Sequence, residues 1–78
     1  MCISFPVRVL SISNDGTTAR AESMLDGCMV DINVTFVPEV RVGDYVIVHS
    51  GIGVRVVSRD HAMQICSMLA GVDGIDGM

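Results

Sequence analysis

The sequence predicts a mainly β fold, a small five-stranded OB-like β-barrel with a C-terminal α-helix. Five short runs rich in β-branched and apolar residues occupy most of the chain, with turn residues between them at close spacing. Apolar residues recur at helical spacing only after the fifth run. The chain has 78 residues, which is one domain of a size that buries roughly 60% of the surface of its unfolded chain.

The first two predicted strands form a hairpin. Residues 5–13 mix β-branched and apolar side chains and lead into the Asn-Asp-Gly sequence of residues 14–16, which tolerates the positive φ of a tight turn. In residues 17–24, Ala19 and Ala21 alternate with polar residues. This alternation predicts a strand with one small-residue face toward a core.

A turn at residues 25–27 leads into the third predicted strand, residues 28–33, which residues 34–37 extend before Pro38 interrupts the ladder. Cys28 falls on the apolar face of this strand, and Cys66 falls on the apolar face of the later helix. Both are therefore expected to be core thiols.

The fourth strand, residues 45–49, is the most strongly β-forming run and is expected to be central. We expect a flexible turn over residues 50–53 and a fifth strand over residues 54–57, with Arg55 facing away from Val54 and Val56.

Ser58 is a favourable N-cap for the predicted helix, and Asp60 complements the helix dipole in its first turn. Gly71 stands where a helix usually ends. The expected domain is therefore residues 1–70, followed by a flexible tail over residues 71–78. Residues 62, 65, 66 and 69 (Ala, Ile, Cys and Leu) form the apolar face of this helix.

Composition excludes several function classes. Nine acidic residues against five basic ones, with two Phe, one Tyr and no Trp, leave neither a basic footprint nor stacking platforms for nucleic acid. No stretch approaches the ~20 apolar residues of a membrane span, and no leader pattern precedes the first strand. Three cysteines without a C-x-x-C pair indicate reduced thiols. We expect a cytoplasmic protein that binds neither nucleic acid nor membrane.

Cys2 is the first candidate functional residue. Because cysteine is small, we expect Met1 to be removed, which places an α-amino group (pKa about 7.7–8.0) beside a thiol of pKa about 8.5. A protonated amine favours the thiolate, which is both the nucleophile and the metal ligand. Pro6 pushes Phe5 toward an extended conformation and so aims this segment. The alternative is a hydrophobic filler at a frayed terminus.

His49 is the second candidate, because it ends the central strand on the face opposite Val46 and Val48. The alternative is an ordinary surface histidine. Gly51 and Gly53 either admit a ligand or another backbone or simply form a turn. Similarly, the methionines at positions 24, 29, 63 and 68 are either an adaptable contact surface or core packing. A Ser/His/Asp order, a phosphate-binding loop and paired carboxylates are all missing, so we do not expect an enzyme.

Three features together resemble the small hydrogenase assembly chaperones of the HypC/HupF type, over about residues 1–70. They are Met1-Cys2-Ile3 with Pro6, the run 42–49 with Gly51, and a strand that leads into a helix containing Ala62. The resemblance implies an OB-like barrel that delivers iron to [NiFe]-hydrogenase. Such a chaperone binds an iron–sulfur scaffold protein, on which the Fe(CN)2CO group is assembled, and then the precursor of the hydrogenase large subunit.

By position, the resemblance implies that the Cys2 thiolate contacts iron and the partner protein, and that His49 is the assisting imidazole. Pro6 and Gly51 would be shaping residues. Iron that carries cyanide and carbon monoxide accepts a soft thiolate, and a site this small can release its transient cargo. Two other hypotheses are a ring- or shell-forming structural barrel and an N-terminal-nucleophile hydrolase that uses Cys2.

Overall fold

The computed structural model describes residues 4–76, with side chains through residue 69. The elements are β1 (Ser4–Ile12), β2 (Thr18–Ser23), β3 (Met29–Asn33), β4 (Tyr45–His49), β5 (Ile52–Val57) and α1 (Arg59–Asp76). The predicted mainly β class, with five strands and one C-terminal helix, is confirmed. Within the described range, no helix is both long enough and apolar enough to cross a bilayer.

The five strands form one sheet that closes on itself. Neighbouring strands follow the order β1-β2-β3-β5-β4, and β4 pairs with β1 to complete the ring. Four of these pairings are antiparallel. The fifth joins β3 to β5 in parallel through one register pair among the described residues, Asn33 with Ile52. The ring therefore has one short seam.

Valine, isoleucine and alanine side chains fill the interior of the ring. The predicted alternation of β2 is confirmed, because Ala19 is 1% exposed and Ala21 is 0% exposed. Inward-facing positions of a small barrel are filled by side chains, and small ones suit a narrow interior. The core cluster consists of Val7, Val9, Ala19, Ala21, Ile32, Val34, Val37, Val40, Val46 and Val48.

Residues 34–37 do not extend β3, so that part of the prediction is wrong. The Val37 N–H donates to the Val34 carbonyl at 3.1 Å, and the Val40 N–H donates to the Val37 carbonyl at 2.9 Å. These bonds form two successive turns. All three valines are buried, so this segment has an apolar period of three rather than the two of a strand.

Cys28 is exposed, which contradicts its predicted place in the core. It precedes β3, because the preceding turn holds its N–H against Asp26 Oδ1 at 3.0 Å. The Asp26 charge, and then a hydrogen bond to the same carboxylate, raise the pKa of the Cys28 thiol. Cys66 is half-buried, and its thiol donates to the Met24 carbonyl at 3.1 Å.

Gly53 lies inside β5 rather than in the preceding turn. Val48 pairs with Gly53 while Ile47 pairs with Arg55, so Val54 is the extra residue of a β-bulge. The bulge explains why Val54 is 49% exposed instead of sharing an inward face with Val56.

The predicted N-cap of α1 is confirmed, because Ser58 Oγ accepts a hydrogen bond from the His61 N–H at 3.1 Å. Ala62 is fully buried where α1 packs against β1 and β4. The helix continues past Gly71 to Asp76, so its predicted end is wrong. Glycine lowers helix propensity by about 1 kcal/mol without forbidding a helix. The mobility of residues 71–78 stays a prediction.

Candidate functional site

The outward faces of β1 and β4 carry the candidate site. Directly opposite residues of antiparallel strands are neighbours on one face, and the register pairs Ser4 with His49 and Pro6 with Ile47. Pro6 is buried and Ile47 is half-buried, whereas Ser4 and His49 are exposed. Because α1 packs on these two strands, we attribute the burial of the inner pair to the helix. Ser4 and His49, the outer pair, are not covered by the helix and are exposed.

A side-chain hydrogen bond joins this outer pair. Ser4 Oγ and His49 Nδ1 are 3.1 Å apart. A neutral imidazole has one donor and one acceptor nitrogen, and a hydroxyl can act in either sense. If Nδ1–H donates to Ser4 Oγ, then Nε2 keeps a lone pair for a ligand. If the hydroxyl donates to Nδ1, then Nε2 carries the proton.

A tight turn directly follows His49. Ser50 has φ 55° and Gly51 has φ 79°, and His49 pairs with Ile52 across them. Positive φ at both central residues defines the two-residue type I′ hairpin. A Cβ at Gly51 would meet nothing within 4 Å, so Gly51 is needed for its backbone conformation. The turn interpretation of Gly51 is confirmed, and its role in admitting a ligand stays a prediction.

Gly53 is glycine because of limited space, not because of its backbone conformation. A Cβ there would lie 3.0 Å from Val46 Cγ1 and 3.3 Å from the Asn33 carbonyl oxygen. The close approach of another backbone, which the sequence left as one alternative for these glycines, therefore applies to Gly53.

The structure brings three of the four predicted site residues to one region of the sheet and does not describe the fourth. His49 and Gly51 adjoin at the β4–β5 hairpin, and Pro6 lies on the same sheet face as His49, two register pairs further along β1. The Pro6 carbonyl also accepts a hydrogen bond from the Met24 N–H at 3.1 Å. Cys2 lies outside the described residues, two positions before Ser4 in the sequence. The structure therefore fixes only that Ser4, the first described residue, lies opposite His49.

Sequence reasoning missed Ser4. It is separated from His49 by 45 positions, and only the β1–β4 register shows that the two residues are opposite each other. The sequence predicted only β4 to be central and did not pair it with β1. A register between them cannot be read from either strand alone.

Comparison with known proteins gives the family. The model of the HupF/HypC family matches residues 1–69 of this chain. The chain belongs to the HupF/HypC family. The match covers both the N-terminal Met-Cys-Ile segment and the strand that ends at His49, so the resemblance seen in the sequence is confirmed.

Three curated relatives are each named hydrogenase maturation factor HypC. The protein from Synechocystis sp. is 35% identical over 72 residues, which are 90% of this chain and 95% of the relative. The protein from Azotobacter chroococcum mcd 1 is 30% identical, over 90% of this chain and 80% of the relative. The protein from Rhizobium leguminosarum bv. viciae is 29% identical over 88% of each chain.

The described part of this HupF/HypC chain holds no preformed metal centre. Among residues 4–76, no three His, Cys, Asp or Glu side chains are grouped so as to hold an ion. The Asp26 charge raises the pKa of the Cys28 thiol, which disfavours the thiolate form that binds metals. A site with three or more such protein ligands would therefore need at least one of them from outside the described residues or from a partner protein.

Three of the four methionines singled out in the sequence are exposed, and Met24 is half-buried. Met29 is 49% exposed, Met63 is 47% exposed and Met68 is 70% exposed, so core packing is the wrong interpretation for these three. Met63 and Met68 line an open groove of about 480 Å³ on α1, together with Gln64 and Ser67. A contact role for this surface stays a prediction.

Proposed function

We propose that this chain is a [NiFe]-hydrogenase maturation chaperone that carries the Fe(CN)2CO group as transient cargo. The observation that carries the proposal is the family match over residues 1–69 together with three relatives named as hydrogenase maturation factors. The five-stranded sheet that closes on itself supports the OB-like barrel that we propose as its architecture.

In this proposal Cys2 supplies the thiolate that contacts iron, and His49 supplies the assisting imidazole. The position of His49 supports this, because it faces the first described residue of β1, Ser4, across the sheet. Carbonyl and cyanide ligands leave few positions on iron for the protein to fill. One soft thiolate with one imidazole can hold such a fragment and still release it, whereas a closed four-ligand site would retain it.

The proposed partners are an iron–sulfur scaffold protein, from which the chain receives the iron group, and the precursor of the hydrogenase large subunit, to which it delivers it. Phe36 is 71% exposed and Met68 is 70% exposed. Large apolar side chains left in water support a protein that works in complexes. We propose a cytoplasmic chaperone without catalytic activity of its own, with Pro6 and Gly51 as the residues that shape the site.

Complementation tests the proposal. A strain that lacks this gene is supplied with wild-type protein or with the Cys2→Ala, Cys2→Ser or His49→Ala variant, and hydrogenase activity is measured. We expect both Cys2 variants to abolish maturation, because neither side chain is a thiolate, and His49→Ala to reduce it. Unfolding curves of the purified variants should match that of the wild type. Normal maturation with Cys2→Ala would falsify the proposal.

Infrared spectroscopy tests the cargo directly. The chain is purified together with its scaffold partner, and cyanide and carbonyl stretching bands are sought, since protein groups do not absorb there. We expect the bands with the wild-type protein and their loss with Cys2→Ala when the complex still forms. Bands of equal strength in the Cys2→Ala complex would remove Cys2 from the role of iron ligand.

A further inference from the structure

We infer that Ser4 is a positioning residue for His49: its Oγ accepts the Nδ1–H of the imidazole, which leaves Nε2 as the unprotonated nitrogen that faces a ligand. The inference deepens the proposed function and rests on it for what Nε2 binds. The tautomer itself can be tested on the isolated chain.

The backbone around this pair is well fixed. Ser4 and His49 are a register pair of β1 and β4, and His49 is also paired with Ile52 on the other side. The type I′ turn holds the β4–β5 hairpin at that end. Neighbouring strands on both sides therefore fix the direction of the His49 Cα–Cβ bond. Only the side-chain torsions of His49, which orient the imidazole, are left to be set.

Ser4 then sets the orientation of the His49 imidazole. Its side chain is short, and its Oγ lies 3.1 Å from Nδ1, within the usual range for a hydrogen bond. The two nitrogens of an imidazole lie on different edges of the ring, so holding Nδ1 against the sheet turns Nε2 away from Ser4. His49 is exposed, and Nε2 is thus the nitrogen available to an incoming group.

The direction of the hydrogen bond matters for the chemistry. Histidine ligands usually donate the other ring N–H to an oxygen, which fixes the tautomer and makes the ligand nitrogen more basic. Ser4 Oγ is the oxygen in this place. When Nδ1–H donates to it, the serine keeps its own hydroxyl hydrogen as a second donor.

Nitrogen NMR of the imidazole rings tests the inference. The ¹⁵N shifts of His49 are measured for the wild type, Ser4→Ala and Ser4→Thr, under conditions in which the ring is neutral. We expect a protonated Nδ1 and an unprotonated Nε2 in the wild type, a shift toward the other tautomer in Ser4→Ala, and recovery in Ser4→Thr, which keeps the hydroxyl. His61, the other histidine of the chain, is the internal control and should not change.

Two results would overturn the inference: a wild-type His49 protonated on Nε2, or shifts that stay the same in Ser4→Ala. Maturation provides the second readout. Loss of an outer hydrogen-bond partner costs about 10–100-fold in metal affinity or activity, so we expect Ser4→Ala to lower hydrogenase maturation about tenfold and Ser4→Thr to restore it. If Cys2→Ala matures hydrogenase normally, the proposed function fails while the tautomer result still stands.

Discussion

Asp15 shows how much of a turn one side chain can organise. Its Oδ1 accepts hydrogen bonds from the Ser13 hydroxyl at 2.6 Å, from the Thr17 hydroxyl at 2.8 Å and from the Thr17 N–H at 3.1 Å. These bonds, with the Ser13 hydroxyl as the largest cause, lower the pKa of Asp15 from 3.8 to about 2. The charged form therefore stabilises the β1–β2 hairpin.

The lowered pKa of Asp15 predicts a specific pH dependence of stability. A carboxylate with a depressed folded-state pKa stabilises the fold fully above its unfolded-state pKa and loses this effect as pH falls through the folded value. We expect the Asp15 contribution to decline between pH 3.8 and about pH 2. Urea unfolding across this window, followed by circular dichroism, should show a steeper loss of stability for wild type than for Asp15→Asn. Parallel curves would contradict the prediction.

At single positions, the sequence predicted which way a residue faces where it lies well inside a strand, but not where it lies at a strand boundary or depends on a distant partner. His49 was identifiable because it ends a strongly β-forming run with the phase of an outward residue. Cys28 was misplaced because period-two alternation was extended one residue beyond the point where β3 begins, into a segment held by Asp26. Ser4 depends on a register between distant strands, which no local pattern contains.

Most elements were predictable because their signals are local. The bounds of β4 follow from a run of β-branched and aromatic residues, and the start of α1 follows from the Ser58 cap. The bulge at Val54 was not predictable, because it is a property of the β4–β5 register. The turns through Val34, Val37 and Val40 were missed, because their apolar residues were interpreted as a continuation of β3. A segment whose apolar residues recur every third position fits neither the helix nor the strand period.

The β4–β5 hairpin predicts different outcomes for its two glycines. Gly51→Ala should cost about 1–2 kcal/mol, because alanine resists the left-handed conformation at φ 79°. Gly53→Ala should cost about 1–3 kcal/mol, because its Cβ would crowd Val46 and the Asn33 carbonyl in the packed interior. Chemical denaturation gives both values.

Asparagine separates these two mechanisms. Gly51→Asn should recover most of the stability lost in Gly51→Ala, because Asn tolerates the left-handed region and suits type I′ turns. Gly53→Asn should be worse than Gly53→Ala, because the larger side chain enters the same crowded space. If Asn failed to improve on Ala at position 51, the conformational account of Gly51 would be wrong.

Across the whole molecule, the candidate site and the closure of the sheet depend on the same hairpin. The strand pair that carries Ser4 and His49 has five register pairs, whereas β3 and β5 meet through one among the described residues. The Gly51 carbonyl accepts the Asn33 N–H at 3.0 Å across that seam. The turn that follows His49 therefore also closes the ring.

The seam predicts where the ring opens first. Regions with few supporting contacts open at lower free energy than the core. Two adjacent amides provide a matched comparison, because the Asn33 N–H bonds to Gly51 across the seam at 3.0 Å, whereas the Val34 N–H bonds to the Thr17 carbonyl at 2.9 Å on the β2 side. After correction for intrinsic rates, hydrogen exchange should be faster at Asn33 than at Val34.

Gly51→Ala connects this test to the hairpin. Strain at residue 51 should weaken the bond that its carbonyl makes to Asn33, so exchange at Asn33 should accelerate more than exchange at Val34. Gly53→Ala would place its Cβ 3.3 Å from the Asn33 carbonyl oxygen, in the same peptide unit as the Val34 N–H, so it should accelerate exchange at Val34 at least as much as at Asn33. Equal protection of the two amides in the wild type would show instead that the ring opens as one unit, and that the β3–β5 contact is as firm as the antiparallel pairs.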